Sequence, residues 1–408
     1  MIGNLEDYRA LVKQCSHCSL CEAVCPVYLE DLLETHVARA RVDLIGKTLY
    51  EKSMPVTARV RDIVGRCLLC TRCTQTCGAA VPVHEIILTA RHELGRGGLR
   101  GLGGVAEAVR RVFLKRMMED KGLRGLPALL IEAAQKLGLA PEGFPAVRFR
   151  PPELRAGTRP AEGTKRARVV YFAGCSHALD PETAASVLKV LARNGIEAVV
   201  PEGLTCCGLP ALAQGDLETA RRMVRNNIAI LAAEQADAVV TDCTSCGMVF
   251  RSEALKTLPP DDPAAARALE VSRKVFEVTD YLNTLGLAAA PGALDETYTY
   301  HVPCHSGWAA GVADAPLQLL AKIPRARYAA MADPEKCCGA GGTFFMEYAD
   351  LSGKIRSGKL RDVAATGAGF VISQCPACRS YLSAGLTGGQ GAVSAVHPVT
   401  LLCRAYEG

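Results

Sequence analysis

Cys337-Cys338-Gly339-Ala340-Gly341-Gly342 is the second occurrence of the pattern that decides the fold. Cys304 stands upstream of it and Cys375-Pro376-Ala377-Cys378 downstream. The first occurrence reads Cys175, then Cys206-Cys207-Gly208, then Cys243-Thr244-Ser245-Cys246. Cys304 follows Cys175 by 129 residues, Cys337 follows Cys206 by 131, and Cys375 follows Cys243 by 132. So steady an offset marks an internal duplication. Five thiols per copy, drawn from three separated places, point to a metal cluster. Two adjacent thiols on one cluster impose an irregular backbone, which the following glycine tolerates.

The repeat extends beyond the cysteines. Arg168–Cys175 matches Tyr298–Cys304, and Ala236–Cys243 matches Ala368–Cys375; all four are β-rich runs that end at a thiol. Val278–Leu282 matches Pro398–Leu402. Helical patterns cover 182–194, 217–232 and 351–365. Strands alternating with helices predict parallel sheets. Ligands of such sheets gather beyond the carboxyl ends of the strands, where Cys175, Cys243, Cys304 and Cys375 fall.

Nearer the amino terminus, Cys15-x2-Cys18-x2-Cys21-x3-Cys25 and Cys67-x2-Cys70-x2-Cys73-x3-Cys77 both carry the spacing of a bacterial ferredoxin. Three close thiolates wrap one face of a cube, and the fourth reaches the neighbouring cube. The spacing therefore assigns Cys15, Cys18, Cys21 and Cys77 to one [4Fe-4S] cluster, and Cys67, Cys70, Cys73 and Cys25 to another. Zinc is the competing metal at such spacings, but its sites rarely crowd four cysteines into one run. Pro26 follows Cys25 as the pattern expects, whereas Gly78 follows Cys77 and the proline is delayed to Pro82. His17 reads as a loop residue. Between the motifs, Leu32, Leu33, Val37, Ala40, Leu44 and Ile45 recur at helical spacing. Residues 83–94 read as a closing helix.

The chain has 408 residues, 49% of them hydrophobic, which is ample material for two to four domains. A net charge of +5 and 5% aromatics argue against a nucleic-acid partner. Nineteen cysteines would suit a secreted disulfide protein only if the chain were short. The opening Met1-Ile2-Gly3-Asn4-Leu5 has no basic or apolar leader character, and no apolar run is long enough to span a bilayer. Metal ligation in a reducing, cytoplasmic setting is the expectation. Leu94–Gly104 is glycine-rich but lacks the preceding strand of a dinucleotide fingerprint. Two helices are expected over 105–119 and 126–139. Arg110, Arg111, Lys115, Arg116, Lys121 and Arg124 there make either a solvated face or a docking surface for an acidic partner. Residues 149–165, rich in proline, read as a linker.

His305 and His177 stand beside strand-end cysteines and read as hydrogen-bonding neighbours of a cluster. Trp308 reads as packing, Glu347 as a helix-start residue, and Cys403 as a buried spare thiol.

These motifs, with Tyr300-His-Val-Pro-Cys-His305 and His397-Pro-Val-Thr-Leu-Leu402, resemble one family over essentially the whole chain. It includes the glycolate or lactate oxidase iron–sulfur subunit, the Cys-Cys-Gly-bearing subunit of anaerobic glycerol-3-phosphate dehydrogenase, and the catalytic subunits of heterodisulfide reductase. The amino-terminal part is similar to the all-helical ferredoxin domain of succinate dehydrogenase-type iron–sulfur proteins. The resemblance implies an all-helical ferredoxin-type domain (1–98), a helical basic linker region (99–166), and two α/β Cys-Cys-Gly domains with parallel sheets (167–290 and 291–408). It also implies one or two further, noncubane [4Fe-4S] clusters. Cys175, Cys206, Cys207, Cys243 and Cys246 would hold one; Cys304, Cys337, Cys338, Cys375 and Cys378 would hold the other.

No flavin, nicotinamide or P-loop fingerprint is present, so the chain is not expected to oxidise a hydroxy acid alone. One expectation is an electron-transfer subunit in a hetero-oligomer, passing electrons from the oxidation of a 2-hydroxy acid such as glycolate or lactate, or of glycerol 3-phosphate, to quinone or another carrier. Its partners would be an FAD-containing dehydrogenase, with an electron-transfer flavoprotein or a quinone-reactive subunit at the inner face of a membrane. A second is a disulfide-reducing enzyme of heterodisulfide reductase type, favoured by two complete five-cysteine sets. A zinc scaffold is the non-redox alternative.

Overall fold

The computed structural model describes residues 1–95, 154–175, 177, 180–386 and 393–408. The helices expected over 105–119 and 126–139, with their basic residues, lie outside these. Two sheets dominate the carboxyl-terminal half. The first has order β1-β3-β2-β4-β5, from Gly157–Arg159, Ile196–Val200, Ala167–Phe172, Ala238–Thr241 and Val275–Glu277 respectively. The second has order β7-β6-β8-β9, from Arg327–Tyr328, Thr297–Tyr300, Phe370–Ile372 and Ser394–Val396. Every pairing is parallel except β1 with β3, where Thr158 lies opposite Val199. β1 falls inside the expected linker; three residues are too few to show strand alternation in sequence.

Both faces of the central strands are buried, which is why they read as near-continuous apolar runs. Val169 and Tyr171 of β2 face a core shared with Tyr298, Tyr300 and Ile372 of the second sheet. The helices Pro181–Arg193, Val278–Leu285, Ala315–Leu320 and Pro398–Glu407 fill that shared core. Val170 and Phe172 point the other way, toward the Leu217–Ala233 helix. Val371 likewise faces the outer layer with Tyr381 and Leu382. The matched pieces at 278 and 398 both open helices, capped by the Glu277 carboxylate and the His397 ring.

The amino-terminal 95 residues contain no strand among the described residues. The helices Ala38–Ile45, Ala58–Gly65 and Val83–Glu93 build their core. Leu32 and Leu33, expected on a helix, lie outside it and are exposed. Leu32 ends a short helix in the left-handed region, and the Leu33 amide donates to Asp31. Pro82, the delayed proline, stands just before the Val83–Glu93 helix, accepting from Ile86 N.

This helical part is welded to the rest. Arg91 donates to the carbonyls of Val64, Gly65 and Cys67 on its own side and Ala213 across the junction. Ile2 N donates to Lys256 O, and Tyr348 Oη to Asp62 O. Replacing Arg91 with methionine leaves four carbonyls short of a donor, and is expected to cost about 3 kcal/mol. A thermal-unfolding comparison checks this; an unchanged midpoint would contradict the weld.

Candidate metal centres

No cysteine is in a disulfide. All but Cys403 gather into four groups. One cavity is lined by Cys15, Cys18, Cys21, Cys73 and Cys77. A second is lined by Cys25, Cys67, Cys70 and Cys73, with the Arg41 side chain. Each cavity thus takes in a cysteine from the other motif, Cys25 in the second and Cys77 in the first, and Cys73 lines both. His17 is exposed, in a left-handed loop position beside the first group. Cys18 is the exposed thiol of its group, whereas Cys25 and Cys70 are buried.

The other two groups sit where the strands of each sheet end. Cys175 follows β2 and Cys243 follows β4; Cys304 follows β6 and Cys375 follows β8. Cys206-Cys207 and Cys337-Cys338 enter from loops that turn at Gly208 (φ +95°) and Gly339 (φ +89°). In the first group, hydrogen-bonding links run from Cys175 to Cys206, Cys207, Cys246 and Cys243. In the second, Cys337, Cys338, Cys378 and Cys375 are linked in the same order, with Cys338 Sγ 3.1 Å from Cys378 Sγ. Cys304 lies close enough to Cys375 and Cys338 to feel their charge.

Gly339 has no room for a side chain. A Cβ there would lie 2.7 Å from Ser352 O; at Gly208 it would lie 3.2 Å from Ala220 O. Left-handed backbone and the close carbonyl together put Gly339→Ala at about 2–3 kcal/mol destabilising. Iron loss and a lowered unfolding midpoint are the expected readouts; a variant that keeps both would contradict the close approach.

The donor sets suit a cationic cluster. Burial pushes the Cys70, Cys73 and Cys304 thiols up, and the charge of neighbouring thiolates adds to it. Hydrogen bonds from Cys206 and Cys246 pull Cys207 down, and those from Cys337 and Cys378 do the same for Cys338. Sulfurs this crowded cannot all ionise unless a cation lies among them, and bound metal deprotonates its thiols outright.

The groups adjoin one another. Cys25, Cys70 and Cys337 share one apolar cluster with Leu68 and Phe344, and Cys304 packs against it. Thr71 Oγ1 donates to Cys304 O at 3.2 Å. His305 spans three modules: Nδ1 is 2.9 Å from Ser245 Oγ, Nε2 is 2.9 Å from Leu69 O, and Cys304 precedes it. Burial lowers its basicity. His177 Nδ1 pairs with Gly174 O. Trp308 packs over Gly247, and Glu347 closes a short helix while accepting from Thr343. Cys403 is buried in the core between the sheets.

One neighbour was not singled out in the sequence. His301 is buried, and its ring lies within 4.8 Å of the Cys338 and Cys378 sulfurs. Only the strand-end position just before Val-Pro-Cys304 hinted at it.

The 4Fe-4S dicluster domain family matches residues 11–81, and the cysteine-rich domain family, CCG, matches residues 169–251 and 298–383. The glycolate oxidase iron-sulfur subunit of Escherichia coli (strain K12) is 27% identical over 420 residues, covering 98% of this chain and 95% of that one. The probable glycolate oxidase iron-sulfur subunit of Bacillus subtilis (strain 168) is 27% identical over 96% of this chain and 93% of its own. Lactate utilization protein A of Bacillus velezensis is 34% identical over 195 residues, which span 47% of this chain and 80% of that protein. A crystal structure of a hypothetical protein from Helicobacter pylori shares the fold, with TM-score 0.54 and 10% identity over 99% of this chain and 76% of that one.

Proposed function

Because the chain belongs to the family of cysteine-rich-domain iron–sulfur proteins that includes the glycolate oxidase iron-sulfur subunits and lactate utilization protein A, we propose that it is the electron-transfer subunit of a flavoprotein dehydrogenase. The partner is an FAD-containing subunit oxidising a 2-hydroxy acid such as glycolate or lactate. The observation that carries this reading is the contiguity of the thiol groups. They run from the exposed Cys18, through Cys73 and Cys70, to Cys304 and Cys337.

Cys15, Cys18, Cys21 and Cys77 would hold one [4Fe-4S] cluster, and Cys25, Cys67, Cys70 and Cys73 a second; the two cavities support this crossed set. Cys175, Cys206, Cys207, Cys243 and Cys246 would hold a third, noncubane one. Cys304, Cys337, Cys338, Cys375 and Cys378 would hold the fourth. When bound, such clusters supply one-electron storage and transfer. The chain's own residues fix the spacing and keep water out: Leu68 and Phe344 pack between the second and fourth sets. Arg41, donating to Ile63 O and Arg66 O, places a cation beside the second set. Among the described residues no helix is long and apolar enough to cross a membrane, so a quinone acceptor would be reached through a partner.

Two complete five-thiol sets favour a second reading, disulfide reduction of heterodisulfide reductase type. Anaerobic purification with flavin, iron and sulfide analysis separates the two. A co-purifying flavoprotein is expected. Chain isolated alone that reduces disulfides with a viologen donor would overturn the electron-transfer reading.

A further inference from the structure

The duplicated sites share their thiols but not their surroundings. Three residues before the strand-end cysteine, the second copy has His301 and the first has Phe172. Phe172 is buried edge-on against Phe250, ring centroids 4.7 Å apart, and offers no polar atom. His301 is held by its backbone, which donates to Ile372 O at 3.0 Å. Its side chain is only 1% exposed, and its Nδ1 is buried with no hydrogen-bond partner. An imidazole nitrogen left unpaired in the interior is costly, and it is one that a sulfur ligand set can satisfy. The ring, Cys338 Sγ and Cys378 Sγ lie within 4.8 Å of one another.

A second difference has the same sign. Gly208 abuts Ala220 and Gly339 abuts Ser352, which aligns the helices Leu217–Ala233 and Ala349–Ala365. Seven residues further along each stand Asn227 and Lys359. Asn227 spends its amide on Thr205 N and Cys206 O. Lys359 is fully buried, with its ammonium on Asp333 O and 3.5 Å from Met331 Sδ, and its charge is felt by Cys338 and Cys337. Hydrogen bonds to cluster sulfurs, and nearby positive charge, both raise a reduction potential.

We propose that His301 donates an N–H hydrogen bond to the sulfur ligands of the second cysteine-rich site, and that this makes the two duplicated sites unequal, the second being the stronger electron acceptor. The proposal rests on the ligand assignment above. His301 acts here as a positioning and tuning residue, not as a ligand.

The test is an EPR-monitored redox titration of the full chain, purified anaerobically with its partner, as wild type, His301→Phe and His301→Gln. Wild type is expected to give two cysteine-rich-site signals with different midpoints. His301→Phe installs the residue of the first copy; the higher midpoint should fall while iron content and the other signals stay unchanged. His301→Gln keeps a donor and should lie nearer wild type. Full iron with an unmoved midpoint in His301→Phe overturns the tuning role alone. Loss of one cluster's iron in both variants overturns it in favour of a holding role. Wild-type chain without iron at the second site overturns the ligand assignment beneath it.

Discussion

Cys206→Ala and Cys337→Ala are each expected to remove one cluster, about a quarter of the bound iron. Each residue is the first of an adjacent pair, and each is buried: Cys206 0% and Cys337 5% exposed. Alanine leaves the other four thiols of the set gathered but one ligand short. Since cluster binding contributes directly to folding, each variant should also unfold at lower temperature than wild type. The two losses should differ in what else they disturb. Cys337 packs in one cluster with Cys70 and Leu68, so its removal should alter the signal assigned to Cys25, Cys67, Cys70 and Cys73. Cys206 packs in a different cluster, with Phe172 and Val224, that includes no cysteine of the ferredoxin-type sets. EPR with iron analysis of the two variants decides the matter. Unchanged iron in either would remove that five-thiol site from the account.

Cys25→Ala is expected to abolish the cluster of the other motif. Cys25 stands in sequence with Cys15, Cys18 and Cys21, yet its sulfur lies in the cavity of Cys67, Cys70 and Cys73, 3.6 Å from His36 O. Cys77 makes the opposite crossing. Cys25→Ala should therefore reproduce the spectrum of Cys67→Ala, and Cys77→Ala that of Cys15→Ala. Each loses about four iron per chain. A Cys25→Ala spectrum matching Cys15→Ala would refute the crossing. Because Cys73 borders both cavities, its alanine variant should perturb both signals.

The thiols and the layers around them were legible because their signals are local. A ferredoxin spacing fixes four sulfurs within eleven residues, and a buried parallel strand announces itself by an apolar run ending at a cysteine. Cys175, Cys243, Cys304 and Cys375 follow their strands as that reading expects. Long-range matching carried no such signal. Arg91 looks like any helix arginine until Ala213 O is found opposite it. Leu32 and Leu33 fit a helical period, but Asp31 captures the Leu33 amide and the chain turns left-handed instead. His305 drew notice for standing beside Cys304, though nothing local told that Ser245 and Leu69 would take its two nitrogens. His301 was hidden in the strand-end run that identified β6, since its meaning depends on Cys338 and Cys378, which arrive from two later loops.

The most direct test of the electron-transfer account is rapid freeze-quench EPR of the anaerobic complex after mixing with a 2-hydroxy acid. Reduced iron–sulfur signals should rise as the partner flavin is reduced, and Cys18→Ala, which removes the exposed thiol of the first set, should slow or abolish them. Flavin that is reduced while every cluster in this chain stays oxidised would contradict the account.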